Sequence, residues 1–114
     1  MLKIFAFLNR RPDLERAAFI EHYEQRHVPL VRSLAPTPLV YKRNYLLRGV
    51  LPFEDPNFAF DVVTEQLHRD RATFEAWLKQ LSVPAIAEDE ARFLDRSKTR
   101  AFAIEEYETP SLAK

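Results

Sequence analysis

The sequence has 114 residues, enough for one domain with a hydrophobic core of its own. Its 46% hydrophobic and 30% charged residues exclude disorder as the default, and 17 basic residues against 17 acidic ones give no electrostatic pull toward nucleic acid. The absence of cysteine excludes disulfides and thiolate nucleophiles and leaves His, Asp and Glu as the strong metal ligands.

In chain order, Leu2 to Leu8 is a run of bulky and aromatic residues ended by Asn9-Arg10-Arg11-Pro12. It predicts a strand apolar on both faces, and therefore a central one. Within it, Ile4 to Leu8 is the longest apolar run, far too short to cross a membrane. The first residues also lack the basic-then-apolar plan of a signal peptide, so a cytoplasmic protein is expected.

Pro12 and Asp13 start a helix in which Phe19, Tyr23, His27, Leu30 and Leu34 recur near helical spacing. The residue before a proline is pushed out of the α region, so Pro29 predicts that this helix ends or kinks near His27 and Val28. Ala35-Pro36-Thr37-Pro38 closes this first strand–helix unit.

Leu39 to Leu47 reads as a second strand, with Tyr41 and Tyr45 on one face and Asn44 on the other. A connection opens at Gly49, the only glycine, and Phe58 to Leu67 reads as a third strand. There Phe60, Val62 and Thr64 point one way, and Asp61, Val63 and Glu65 the other. Asp70 caps a second helix with Phe74, Trp77, Leu78 and Leu81 at i, i+3, i+4 and i+7. Ser82 to Leu94 predicts a short third helix, with Pro84 in its first turn and Val83, Ile86, Ala87, Glu90 and Leu94 on its inner face. Thr99 to Tyr107 is a fourth strand. The domain is expected over residues 1–108, with 109–114 a fraying tail.

The order β-α-β-β-α-(α)-β is the split arrangement of an α+β, ferredoxin-like sheet with helices on one face and an extra short helix before the last strand. The other face is left bare. Where strands are apolar on both sides, a symmetric homodimer that seals two such faces together is expected.

His27 is the leading candidate for chemistry, because an imidazole titrates near neutral pH and serves as acid, base or hydrogen-bond donor. His22 is five residues away, roughly 140° around an α-helix, so the pair does not chelate one ion as an i, i+4 pair would. Asp61 and Glu65 share one strand face, where partial desolvation would suit a carboxylate to proton transfer. Glu90, on an apolar stripe, needs a cation such as Arg43 or Arg100, while Asp89 points about 100° away and is expected to be solvated. Tyr23 shares a helix face with His27; Tyr41, Tyr45 and Asn44 are the further neutral candidates for holding a ligand.

The segments Phe19-x-x-His22-Tyr23-x-x-x-His27-x-Pro29-Leu30, Phe60-Asp61-x-Val63-Thr64-Glu65 and Asp89-Glu90-Ala91-x-Phe93-Leu94-Asp95 together resemble the EthD domain family, of the dimeric α+β barrel superfamily. The resemblance covers residues 2 to about 108 and implies a homodimer with a pocket between sheet and helices. Similar proteins include dehydratases and decarboxylases of polyketide pathways, isomerases, cofactor-free monooxygenases, and accessory proteins of an oxygenase system.

The resulting expectation is an enzyme without metal or organic cofactor, running acid–base chemistry on a small hydrophobic, aromatic or polyketide-like molecule. In it His27 moves a proton, Asp61 or Glu65 orients or relays, and Tyr23 or Asn44 holds a substrate oxygen. A cofactor-independent monooxygenase and a non-catalytic binding protein are the alternatives.

Overall fold

The computed structural model of the chain describes residues 1–112; of the expected tail, residues 113–114 lie outside the described residues. Strands β1 (Leu2–Leu8), β2 (Val40–Tyr45), β3 (Val62–His68) and β4 (Arg100–Ile104) form one antiparallel sheet in the order β2-β3-β1-β4. With helical crossovers joining β1 to β2 and β3 to β4, this is the α+β ferredoxin-like fold. None of the helices among the described residues is long and apolar enough to cross a membrane.

The two-residue period of the central strands decides what each face carries. Ile4, Ala6 and Leu8 of β1 and Val62, Thr64, Gln66 and His68 of β3 are buried beneath the helices. Phe5, Phe7, Val63, Glu65 and Leu67 alternate onto the outer face, where Phe102 of β4 lies opposite Phe5 and is well exposed.

The first helical stretch departs from expectation. It does not stop at His27 but runs as α1 (Arg16–His22), a π-helical turn (Tyr23–His27) and α2 (Val28–Leu34), with helical backbone angles at both junctions. Pro29 has no N–H to give and crowds the carbonyl four residues back. A turn widened by one residue absorbs that misfit without ending the helix. The stretch closes at Ala35, whose N–H reaches Val31 O at 3.0 Å.

α3 (Arg71–Leu81) starts as its sequence predicts, with Asp70 Oδ1 accepting from the Thr73 N–H at 2.7 Å. α4 (Pro84–Phe93) has its proline in the first turn, but its buried stripe is Ile86, Asp89 and Phe93. The expected inner face, centred on Glu90, is therefore rotated by one position. Phe93 is the pivot of the main core cluster, fully buried with its ring 4.8 Å from those of His22 and His27 and 5.1 Å from that of Tyr23.

Three strands are shorter than expected: β2 runs Val40–Tyr45 in place of Leu39 to Leu47, and β3 and β4 are cut short by contacts of their own. Phe58 to Asp61 is irregular because the Arg48 guanidinium takes the carbonyls of Phe58 and Phe60, at 2.8 Å each. Phe60 consequently turns to the outer face and packs on Phe7 at 5.4 Å, not on the face of Val62 and Thr64. β4 stops at Ile104 because that residue pairs with Lys3, almost at the start of β1, and no strand remains to continue the ladder.

Candidate functional site

Between the inner sheet face and α2, α3 and α4 lies a cavity of about 610 Å³. Its floor is Ile4, Ala6, Thr64, Gln66, Tyr41 and Ala101, and its walls include Tyr23, His27, Val31, Trp77, Ile86, Glu90 and Arg96. The volume and the largely apolar lining with a few polar groups are those of a small-molecule site.

His27 stands on the π-turn, 5% exposed, with Nδ1 2.8 Å from Oδ2 of Asp89. The other oxygen of that carboxylate is 2.9 Å from Nε2 of His22. In a regular α-helix positions five apart diverge, but the π-turn has more residues per turn and brings both rings to one carboxylate. A carboxylate is acceptor-only, so Nδ1 of His27 carries the hydrogen and Nε2 is the ring nitrogen left for a ligand in the cavity. Burial pushes the Asp89 carboxyl up, yet the hydrogen bonds from His27 and His22 outweigh this and hold it below its ordinary value. Arg92, 3.7 Å from the same carboxylate, adds a cation on the solvent side.

The other expected acids are elsewhere. Asp61 sits at the end of the sheet, accepting from the Arg10 N–H at 2.6 Å with the guanidinium of Arg48 3.6 Å away. Glu65 projects from the outer face, 3.4 Å from Lys3 and 4.0 Å from Lys42. Neither lines the cavity, because β3 presents its odd-numbered side chains outward. The carboxylate that meets His27 is Asp89, which the sequence reading left to solvent. Glu90 does line the cavity, paired with Arg96 at 3.2 Å; Arg43 is committed to Glu24, and Arg100 to the carbonyls of Ser97 and Thr99.

Tyr23 and Tyr41 both line the cavity, with their hydroxyls 3.3 Å apart. Burial pushes both phenols up, so each is a neutral donor or acceptor. Tyr45 shares the inner face but donates to Glu24 at 2.5 Å. Glu24 also takes two bonds from Arg43, at 2.9 and 2.6 Å, and these bonds hold its carboxyl below the ordinary range despite burial. Asn44 belongs to the outer face, where its amide donates to Val63 O at 3.0 Å. The cavity also reveals Thr64, Gln66 and Trp77, none of which the sequence marks as more than core. Among the described residues, no three His, Asp or Glu side chains converge as a metal-binding set.

The family model of the EthD domain matches residues 11–97, which include the π-turn, Trp77 and Asp89. The chain belongs to the EthD family. A solved EthD family protein from Bacillus halodurans superposes with a TM-score of 0.63 at 21% identity, over 94% of this chain and 100% of that one. A dimeric ferredoxin-like protein from Bacteroides fragilis gives 0.60 at 8% identity, over 92% and 95% of the two chains. The hydroxynitrile lyase of Passiflora edulis gives 0.53 at 17% identity, over 95% and 96%. At these identities the likeness is one of fold. No curated protein matches the sequence.

Proposed function

We propose that this EthD protein is a small-molecule enzyme that runs acid–base chemistry with its own side chains on a hydrophobic, aromatic or polyketide-like compound. One observation carries the reading: a buried imidazole is fixed through Nδ1 by Asp89 and keeps its second nitrogen for an apolar cavity of about 610 Å³. An orienting carboxylate holds the ring in one tautomer and stabilises the imidazolium that forms when Nε2 takes a proton. His27 is the base and Asp89 the residue that positions it, while Tyr23 and Tyr41 offer neutral hydroxyls to a ligand. Dehydration, isomerisation and cyclisation of a carbonyl compound can begin with such a proton abstraction, and decarboxylation can end with the imidazolium returning a proton to the carbanion left when CO₂ departs. The hydroxynitrile lyase among the fold relatives supports this class.

The test uses 1-tetralone, an aromatic ketone with acidic α-hydrogens, and follows their exchange in D₂O by NMR. The wild-type chain accelerates exchange, and His27→Ala lowers that acceleration by about 100-fold or more. Equal rates for the two proteins defeat the reading. A ligand that raises the melting temperature without any exchange points instead to a binding protein.

The same reading includes a homodimer through the outer sheet face. Phe5, Phe7, Phe60 and Phe102 form an apolar patch there, which a soluble monomer would leave in water. The dimeric relative from Bacteroides fragilis supports it. Light scattering gives twice the chain mass for the wild type and the single mass for Phe102→Asp; a wild-type monomer sinks this part.

A further inference from the structure

Three groups in the cavity have no role in the chemistry above. Thr64 Oγ1 and Trp77 Nε1 are buried and make no hydrogen bond among the described residues, the two residues being 1% and 8% exposed. Gln66, 8% exposed on the same strand face as Thr64, spends its carbonyl on His68, whose Nε2 lies 3.1 Å from Oε1. Burial pushes the His68 imidazole down, so it is neutral and Nε2–H is the donor. The Gln66 amide N–H₂ is thereby turned free, and it makes no other hydrogen bond among the described residues. Trp77 closes the cluster, its ring 5.3 Å from that of His68 and 6.4 Å from that of Tyr41.

The cluster is unbalanced in one direction. An indole N–H and an amide N–H₂ can only donate, and the one nearby carbonyl is occupied. A cation finds no acceptor pair there, and a hydrocarbon leaves buried donors dry, which is costly. An oxygen that accepts hydrogen bonds is the kind of atom such a set suits. These donors belong to β3 and α3 and His27 to the π-turn, and all four residues line the same cavity.

From this we infer that Gln66, Trp77 and Thr64 form an oxygen-binding subsite, with His68 as the positioning residue for Gln66, and that the substrate is an enolisable ketone. The inference rests on His27 being the base of the same cavity. In the reaction the α C–H bond breaks and its proton goes to Nε2 of His27. The electron pair moves into a new C=C bond, and the carbonyl π pair to oxygen, where the donors meet the developing enolate. Donors already aimed at the site of growing charge need no reorganisation when it appears.

The test is carbon-13 NMR of 1-tetralone labelled at its carbonyl carbon and bound to the intact protein, a reading that needs no turnover. Bound to wild type, the carbonyl resonance moves downfield of its value in cyclohexane. In Gln66→Leu and in Trp77→Phe, both confirmed folded by circular dichroism, it moves back toward that value and the dissociation constant rises about 10-fold. His68→Phe, which keeps a ring but lacks the donor, gives an intermediate shift. The same carbonyl resonance in wild type and both donor variants, or no binding at millimolar probe, overturns the subsite. If the downfield shift persists while His27→Ala leaves exchange unchanged, only the base reading falls.

Discussion

The two faces of β3 carry side chains of similar polarity and opposite fate. Outward, Glu65 stands between Lys3 and Lys42, and Asn44 on the neighbouring strand bonds to a backbone carbonyl. Both of these groups have a partner there. Inward, Thr64, Gln66 and Trp77 across from them are buried with hydrogen-bonding capacity unspent. Water compensates an unpaired group on the first face at little cost, but not on the second. Polarity alone therefore does not mark a site in this domain; polarity withheld from solvent and left unpaired does.

The largest test of that contrast is Asp89→Asn. The amide can offer His27 the wrong partner and stabilise the wrong tautomer, so 1-tetralone exchange should fall by about 100-fold or more while the fold persists by circular dichroism. Exchange within a factor of 3 of wild type would falsify the orienting role assigned to Asp89.

A smaller effect appears in acid. Asp89 and Glu24 both ionise more readily in the folded chain than their ordinary values of 3.8 and 4.5, for the hydrogen-bonding reasons given above. A depressed folded value means that the folded state binds fewer protons than the unfolded one. The stabilisation is therefore complete above about 4.5 and lost as pH falls through the lowered values. The lowered His68 value already costs stability as pH falls below about 6.5, and the melting temperature should drop further below about 4.5, less steeply in Glu24→Gln. Parallel acid limbs in the variant and the wild type would count against that assignment.

The smallest effect is on the outer face. Glu65→Gln removes two partly screened ion pairs and should change unfolding free energy by no more than about 0.5 kcal/mol, with exchange unaffected. A clear loss of exchange in that variant would restore Glu65 to the site.

Much of the fold was legible from pattern. Alternation in β1 and β3, the Asp70 cap and the 74/77/78/81 stripe each have a local cause, and the structure keeps them. The lining of the cavity was legible at His27, Tyr23 and Tyr41, where a residue type carries its own chemistry. It was not legible at Asp89, because the angle assigned to it followed from a helix stripe drawn through Ile86, Glu90 and Leu94. Phe93 settled the matter instead: its burial between two imidazoles rotates α4 and brings Asp89 inward. Nor was the strand acid legible, since a period of two tells that Asp61 and Glu65 share a side but not which side meets the helices. The pairing of histidines five apart with a nearby proline was the available signal, and it points to a widened turn only once Pro29 is kept inside the helix.

That turn has a consequence for spacing. A helix that carries one residue beyond its regular winding has its two halves out of phase, and the count between His22 and His27 is what keeps both rings on one carboxylate. Gain or loss of a single position here would leave the sheet and its helices standing and disconnect the two histidines. Extra residues are usually looked for in loops; here the extra residue per turn lies inside a helix.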